Sequence, residues 1–354
     1  MEGITVGGPG FVAVGAAKAL GYPHNAQPAV WTSPDGVTWT RVPPNKVASP
    51  NMDGPAMLDV ASGGPGLVAV GTDLIDRGGP VYGAVWTSLD GFKWQRVEHA
   101  AVFEGDTGRV FLSGVSTAGP GLVAVGFEER GHYLGVAYHA VVLTSPDGYT
   151  WTRVPHNEAL FGGADNTMTR MEDVTAGGPG IVAAGLAQQP GSGLVGALWT
   201  SPDGTDWTRV PTDNGVFGGA RDVAVLSVAA DGLRLVAVGG WHIAQSWTSN
   251  DGLEWQRTFH HPDAPSNMTD VVSTDVGLVA VGSIDSGRDR YPAVWTSVDG
   301  SDWHLDEADL GLLGEGTMEA VAADGDRLVA VGWAWENEAS DNIRPVVWTA
   351  VLDG

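Results

Sequence analysis

Two apolar-rich phrases alternate along the chain, and both have the length and composition of β-strands. The first is Leu-Val-Ala-Val-Gly or a close variant, a short run of small and branched apolar residues that is typical of a strand buried on both faces. Its copies lie at 11–15, 67–71, 122–126, 181–185, 235–239, 278–282 and 328–332. No stretch has the apolar periodicity of a long helix. The pattern therefore predicts an all-β protein.

The second phrase contains two tryptophans on either side of a Ser-x-Asp-Gly turn, as in VWTSPDGVTWTRVP at 30–43. It returns at 84–97, 142–155, 198–211, 246–258 and 294–304, with a truncated copy at 346–354. The turn separates a strand that ends in Trp-Thr-Ser from a strand in which polar and apolar residues alternate. Both phrases recur at intervals of about 53 residues, which is typical of a repeated β unit.

Short strands with this period indicate a β-propeller in which each repeat forms one blade. We predict one domain over 1–354, a seven-bladed β-propeller of four-stranded antiparallel blades. Its blades are expected at roughly 1–43, 44–100, 101–156, 157–213, 214–260, 261–306 and 307–354. The chain begins on the first strand of a blade and ends before the outer strand of the last blade. That blade is therefore expected to expose a sheet edge, which is a liability or an interface.

The Ser-x-Asp-Gly-x-x-Trp turn, for example Ser33 to Trp39, resembles the Asp-box or BNR repeat of sialidase-type and sortilin-type propellers. It is one residue shorter between Asp and Gly, and the resemblance runs through the whole chain. It implies a propeller whose boxes build the face opposite the functional site. The superfamily contains glycosidases, receptors and assembly factors, so the resemblance implies a fold and no single activity. Sialidases have six blades and a Phe/Tyr-Arg-Ile-Pro signature, which residues 342–345 do not match.

The turn phrase itself is expected to be structural. Its Asp can accept backbone N–H groups, its Gly supplies a positive φ, and its Trp packs between sheets. The same expectation holds for the arginines that follow it. They are Arg41, Arg96, Arg153, Arg209 and Arg257.

The amino-acid composition disfavours some classes of binding partner and excludes some kinds of site. The formal net charge of −24 disfavours nucleic acid and anionic membranes. The absence of cysteine excludes disulfides and thiolate chemistry. No apolar run is long enough to span a membrane as a helix, and no signal peptide is present. Because the chain starts inside a repeat, we expect an exported protein that has lost its export segment, extracellular, periplasmic or at the cell surface. A cytoplasmic location stays open.

The loops between the second and third strands, and those that join consecutive blades, are long and variable, so their face is the candidate binding face. Three of the 15 tryptophans fall outside the repeated phrases: Trp241, Trp333 and Trp335. Aromatic rings beside carboxylates and amides suit sugar rings. We therefore predict a ligand site that also includes Tyr133, Tyr291 and Glu336. The alternative is that these tryptophans fill gaps between blades.

Arg109, Arg170 and Arg221 precede the innermost strands of three consecutive blades, so their guanidinium groups could converge at the channel mouth and hold a carboxylate. The alternative is ion pairing with nearby acidic residues. These are Glu104, Asp106, Glu172, Asp173 and Asp222.

Glycoside hydrolysis needs two carboxylates on either side of the scissile bond. Our catalytic candidates are Asp173, Asp222 and Asp270 on the inner strands, together with His242. The inner-strand position of these aspartates also carries an aspartate in another repeat, Asp59, and this recurrence favours a structural role. We expect no resident cofactor or metal, although residues 336–341 could offer oxygen ligands to calcium.

Three functions remain open on sequence alone. The first is an exported propeller that binds a carbohydrate or another polar organic molecule on the loop face at the channel mouth. The second is an enzyme at the same site, namely a glycoside hydrolase, a lyase or a cyclising enzyme that uses acid–base chemistry. The third is a scaffold for protein partners.

Overall fold

β-Strands make up most of the chain in the computed structural model. It describes residues 1–19, 22–47, 56–74, 80–105, 109–132, 135–162, 168–178, 180–188, 193–211, 215–219, 222–232, 234–260, 265–287, 289–306, 314–335 and 343–352. The only α-helix among these residues is the single turn α1 (Glu158–Phe161), and two 3-10 turns lie at Pro44–Lys46 and Ala101–Phe103. The prediction of an all-β protein is therefore confirmed.

The strands follow one another in short antiparallel hairpins. They are β1 (Gly3–Gly7), β2 (Gly10–Ala19), β3 (Tyr22–Ser33), β4 (Thr40–Arg41), β5 (Ala56–Gly63), β6 (Gly66–Leu74), β7 (Val81–Ser88), β8 (Gln95–Arg96), β9 (Arg109–Ser116), β10 (Leu122–His132), β11 (Gly135–Ser145), β12 (Thr152–Arg153), β13 (Thr169–Gly177), β14 (Gly180–Gln188), β15 (Leu194–Ser201), β16 (Thr208–Arg209), β17 (Val225–Asp231), β18 (Arg234–Gly239), β19 (Gln245–Ser249), β20 (Gln256–His260), β21 (Ser266–Thr274), β22 (Gly277–Ser286), β23 (Asp289–Ser297), β24 (His304–Leu305), β25 (Gly316–Asp324), β26 (Arg327–Trp335) and β27 (Ile343–Val351).

Consecutive strands pair in groups of four: β1–β4, β13–β16, β17–β20 and β21–β24 are separate sheets, and β25–β27 form a three-stranded one. The groups β5–β8 and β9–β12 join into one sheet through a single parallel bridge between Val81 and Arg109. The first strand of each group contacts the first strand of the next, and β25 contacts β1. The groups therefore form a closed ring, with their first strands innermost around a central channel.

The final glycine of the Leu-Val-Ala-Val-Gly phrase is required by a bulge in the facing strand. In β13 the register shifts between Met171 and Asp173, so that Glu172 is an extra residue opposite β14. Gly185 faces this bulge, and a Cβ atom there would lie 2.0 Å from the carbonyl oxygen of Arg170. The equivalent approach is 1.9 to 2.1 Å at Gly71, Gly126, Gly239, Gly282 and Gly332. No side chain fits at these positions.

The repeated Ser-x-Asp-Gly phrase forms a hydrogen-bonded turn between the third and fourth strands. After β15, Asp203 accepts the backbone N–H groups of Thr205 and Asp206 at 2.8 and 2.9 Å. Gly204 has a φ of 86°, and its carbonyl accepts the indole N–H of Trp207 at 2.8 Å. Equivalent bonds surround Asp35, Asp90, Asp147, Asp251 and Asp299. These contacts make the phrase a turn-building element.

The second tryptophan of the phrase closes the groove between its own group of strands and the preceding group. Trp207 is buried with Val123, Val125 and Ile181, which come from both sides of the groove. The five equivalent residues pack in the same way: Trp39, Trp94, Trp151, Trp255 and Trp303. Contact between neighbouring groups thus depends on one large side chain at each seam.

The arginines of the short fourth strands also have structural partners. Arg96 pairs with Asp73 at 2.6 Å, and Arg153 pairs with Glu128 at 2.6 Å. Both carboxylates are almost completely buried, with exposed fractions of 0% and 1%, so each needs a cationic partner. These contacts agree with the expectation that the arginine tail belongs to the scaffold.

The antiparallel order places the connections on two opposite faces of the ring. The tight turns, between the first and second and between the third and fourth strands, lie on one face. The connections between the second and third strands and between groups lie on the other, which is called the loop face below. No helix among the described residues is long and apolar enough to cross a membrane.

Candidate functional site

Aspartates and small residues alternate around the channel on the first strands. One residue on each strand pairs with the residue that precedes the final glycine of the second strand. In ring order these residues are Gly3, Asp59, Gly114, Asp173, Ser227, Asp270 and Ala320. A Cβ atom at Gly3 would lie 2.8 Å from the Cα atom of Asp59, so the position beside an aspartate must be small.

Each of these aspartates joins its own strand to the next one in the ring. Asp59 accepts the backbone N–H of Val115 at 2.8 Å, and Asp173 accepts that of Val228 at 2.9 Å. Asp270 likewise accepts the N–H of Val321 at 2.8 Å. The three carboxyl groups therefore fasten alternate seams of the ring.

Ser227 connects two of the three aspartates. Its Oγ atom lies 2.9 Å from Oδ2 of Asp173 and 2.7 Å from Oδ1 of Asp270. A hydroxyl group has one proton to donate, so it can donate to only one of the two carboxyl groups at a time. The second contact needs a proton on the other carboxyl group. The geometry thus favours one protonated aspartic acid in the trio formed by Asp173, Ser227 and Asp270.

Burial and the charge of Asp173 keep Asp59 and Asp270 protonated to unusually high pH. Burial, followed by the charge of Asp173, raises the pKa of Asp59 to about 8. The same two causes raise the pKa of Asp270 to about 7. Burial also raises the pKa of Asp173, which its hydrogen bonds to Val228 and Ser227 oppose. The protonated member of the trio is therefore assigned to Asp270, which donates to Ser227 while Ser227 donates to Asp173.

The free energy of unfolding is expected to fall as the pH rises from about 4 to about 8. An unfolded aspartate loses its proton near pH 4, whereas folded Asp59 and Asp270 keep theirs up to about pH 8 and about pH 7. Within that window the folded chain binds more protons than the unfolded chain, so raising the pH favours unfolding. Urea titrations at pH 5 and pH 8 measure the difference.

The matched variant is Asp59→Ser, which gives β5 the residue type that β17 carries at Ser227. Its unfolding free energy should differ less between pH 5 and pH 8 than that of the unmodified chain. Equal values for the unmodified chain at both pH values would contradict the assignment. The turn aspartates do not interfere: the N–H groups of Thr38 and Val37 lower the pKa of Asp35 to about 2, so its contribution changes only below about pH 4.

Two glutamates lie at the extra residue of the bulge, one position before the alternating series. Glu172 pairs with Arg170 at 3.1 Å, and burial raises the pKa of Glu172. The guanidinium group of Arg170 lies over the ring of Phe127, 3.9 Å from its centroid. Arg170 is therefore held between a carboxylate and an aromatic face.

The second glutamate, Glu319, lies beside the tryptophans that the repeat leaves unexplained. Its Oε1 atom accepts the indole N–H of Trp333 at 2.8 Å. Burial, followed by the charge of Glu2, raises the pKa of Glu319. Trp333 meets Trp335 edge to face, with ring centroids 4.6 Å apart, and both indoles are half-buried. We call Glu319, Trp333 and Trp335 the tryptophan corner.

Two of the three arginines predicted to converge at the channel mouth, Arg109 and Arg170, have ion-pair partners among the described residues. Arg109 is 54% exposed and pairs with Glu129 at 3.1 Å on the neighbouring strand, while Asp106, one of its suggested partners, lies outside the described residues. Arg170 has the partners given above, and Arg221 lies outside the described residues. For Arg109 and Arg170, the structure therefore agrees with the alternative interpretation, ion pairing with acidic residues.

Asp222 does not lie on an inner strand, which corrects the sequence alignment. The strand β17 begins only at Val225, and Ser227 holds the position equivalent to Asp173. Asp222 instead accepts the backbone N–H of Leu194, at the start of the third strand β15, at 2.8 Å. Ser227 precedes Gly239 by 12 residues, as Asp173 precedes Gly185, so Asp222 lies five residues too early in the chain for the inner-strand position.

The remaining candidates lie at separate places on the loop face. Trp241, 41% exposed, and the exposed His242 form the turn between β18 and β19. Tyr291 is half-buried in β23, opposite Ile284. Tyr133 and Glu336 lie outside the described residues, as does the 336–341 segment suggested for calcium. Among the described residues, no group of three His, Asp or Glu side chains could hold a metal ion.

Sequence reasoning missed Glu319 and Ser227. Both lie in the phrase at the first strand, Met-Glu-Ala-Val at 318–321 and Val-Leu-Ser-Val at 225–228. Aligning these phrases with Met-Thr-Asp-Val at 268–271 would have indicated the alternating series. The bulge that inserts Glu319 as an extra residue before Ala320 leaves no sequence signal of its own.

No protein-family model matches the chain, and no curated protein matches it. A solved structure of an α-L-arabinofuranosidase mutant from Fusarium graminearum with an iminosugar inhibitor is similar in fold. The TM-score is 0.50 at 14% identity, covering 82% of this chain and 91% of that one. A Trypanosoma rangeli sialidase with sialic acid gives a TM-score of 0.48 at 14% identity over 80% of this chain. This chain spans about half (52%) of that sialidase. The likeness to the arabinofuranosidase concerns the fold alone and, together with the ring of four-stranded antiparallel sheets, supports a β-propeller.

Proposed function

We propose that the chain is a seven-bladed β-propeller that binds a carbohydrate at the channel mouth on its loop face. The observation that carries the proposal is the tryptophan corner, where two half-buried indoles meet edge to face beside a carboxyl group. Sugar rings have apolar C–H faces that pack on indoles and hydroxyl groups that bond to carboxyl oxygens. Export, as the sequence suggests, would bring the site into contact with extracellular glycans.

The tryptophan corner brings together two aromatic surfaces and a carboxyl group, the kinds of side chain that bind sugars. The edge-to-face geometry leaves ring surface of both indoles in contact with solvent, because neither is fully buried. The bond from Trp333 to Glu319 fixes one indole, which lowers the entropy lost when a ligand is ordered. The carboxyl group of Glu319, whose pKa is raised by burial, offers hydrogen-bonding oxygens beside the indoles for sugar hydroxyl groups. The solved structures that resemble this chain in fold include that of an α-L-arabinofuranosidase, in keeping with the proposal.

A thermal-shift screen of neutral and acidic oligosaccharides tests the proposal. A ligand that binds only the folded state raises the melting temperature, and the increase grows with the logarithm of the ratio of ligand concentration to dissociation constant. At least one oligosaccharide is expected to raise it in a concentration-dependent way. If every oligosaccharide leaves the melting temperature unchanged while a protein partner raises it, the scaffold hypothesis replaces the proposal.

A glycoside hydrolase is the second candidate, favoured by the pair of carboxyl groups that Ser227 connects. Asp270 with its raised pKa could act as the acid, and Asp173 as the base or nucleophile. The bonds of both residues to backbone N–H groups of the next strand limit their freedom to reach a substrate. The oligosaccharide that gives the largest shift should therefore also be incubated with the protein. New reducing ends would indicate hydrolysis, and intact sugar would indicate binding alone.

A further inference from the structure

A second carboxylate, that of Glu2, lies beside the tryptophan corner. The first strands β1 and β25 are neighbours in the ring. Glu2 and Glu319 each come one residue before the member of the alternating series on their strand, so they lie at the same level of the channel. The amino group of Met1 donates to the carbonyl oxygen of Gly332 at 3.3 Å, and Gly332 directly precedes Trp333. These contacts bring Glu2 to the side of the corner.

The balance of charge at the corner is negative. Burial raises the pKa of Glu319 most, and the charge of the exposed Glu2 raises it further, so the two carboxyl groups are within electrostatic reach of each other. Two cations also reach Glu319, but both have other partners. Arg290 pairs with Asp285 at 2.8 Å. The amino group of Met1 is held by a backbone carbonyl, and burial lowers the pKa of that amino group.

The two indoles favour positive charge as well. The face of an aromatic ring is its negative side and attracts a cation. Trp333 and Trp335 meet at an interplanar angle of 80°, so the two rings form adjoining walls. Carboxylate oxygens accept hydrogen bonds and attract N–H donors that carry a positive charge. The indoles and the carboxylates therefore suit the same chemical group, an ammonium.

We propose that the sugar bound at the tryptophan corner carries a protonated amino group, as a glucosamine oligosaccharide does. This inference rests on the proposed function, because it names the class of sugar that the same site binds. The ammonium group bonds to the carboxylates of Glu2 and Glu319 and lies against the indoles, while the C–H face of the sugar packs beside it. The net charge of −24 also draws a cationic sugar toward the protein.

Three tetrasaccharides that differ only in the group at one ring carbon provide the first test. They are the β-linked tetramers of glucose, glucosamine and N-acetylglucosamine, titrated calorimetrically at mildly acidic pH, where the free amine is protonated. The glucosamine tetramer is expected to bind at least about tenfold more tightly than each of the other two, because only its amine is charged.

The outcomes separate this inference from the proposed function. Equal affinities, or tighter binding of the glucose or N-acetylglucosamine tetramer, overturn the inference and leave the carbohydrate site standing. Binding of none of the three also overturns it. The proposed function then fails only if the wider oligosaccharide screen is negative too.

Glu2→Gln provides the second test, because it removes one charge from an exposed side chain. The glucosamine tetramer should bind this variant at least about fivefold more weakly, while the glucose tetramer binds it as it binds the unmodified chain. The control is Glu254→Gln, which changes the net charge equally at an exposed residue of the opposite, tight-turn face. This control should bind the glucosamine tetramer as the unmodified chain does. Equal losses in the two variants would overturn the inference, because the preference would then come from the overall charge of the protein.

Discussion

Replacing Gly185 by alanine is expected to prevent folding or to lower the free energy of unfolding by at least about 4 kcal/mol. The new Cβ atom would lie 2.0 Å from the carbonyl oxygen of Arg170, so the backbone of one strand must move away from the other. That movement would break the pairing of β13 with β14 at the bulge and shift Asp173, which bonds to the next strand. Urea unfolding followed by tryptophan fluorescence measures the loss.

Gly218→Ala is the matched control for this substitution. Its Cβ atom would meet only Val195, at an ordinary contact distance of 3.5 Å. The control should unfold within about 1 kcal/mol of the unmodified chain. If Gly185→Ala were as stable as Gly218→Ala, the bulge would not explain the glycine of the repeated phrase.

Trp207→Ala is expected to lower the free energy of unfolding by about 3 to 5 kcal/mol. The indole is 7% exposed and fills the seam between two groups of strands, so its removal leaves a cavity that the surrounding strands cannot close. It also removes the donor to the carbonyl oxygen of Gly204, which holds the turn. The measurement is the unfolding free energy from urea titration.

Trp241→Ala is the matched control, because it removes an indole of the same size from the surface, where Trp241 is 41% exposed. Its effect should stay below about 1 kcal/mol. A small loss for Trp207→Ala, similar to that of Trp241→Ala, would mean that the seams do not depend on the repeated tryptophan.

Most of the fold could be predicted because the same strand and turn signals recur in every repeat. Alternation of apolar residues gave the strands, and Asp-Gly gave the turns. Five of the six described fourth strands are shorter than the alternation suggests: Thr208–Arg209, for example, is only two residues long. Their register comes from the insertion of Trp207 into the seam, a tertiary contact that strand patterns do not encode.

The candidate site was predicted less well, because it depends on side chains brought together from distant strands. The surplus of Trp333 and Trp335 could be read from the chain, since they lie outside the repeat. Their partner Glu319 could not, because its orientation comes from a bulge and its chemistry from burial. Asp222 was misplaced for the opposite reason: its neighbours in sequence resemble an inner strand, whereas its backbone partner lies on β15.

The affinity of the tryptophan corner for sugar tests the central claim most directly. Isothermal titration calorimetry would use the oligosaccharide with the largest thermal shift, on the unmodified chain, the double variant Trp333→Ala/Trp335→Ala, and Trp241→Ala. The account predicts that the double variant binds at least about tenfold more weakly, while Trp241→Ala binds as the unmodified chain does. Unchanged affinity in the double variant would contradict it, because the sugar would then bind elsewhere on the protein.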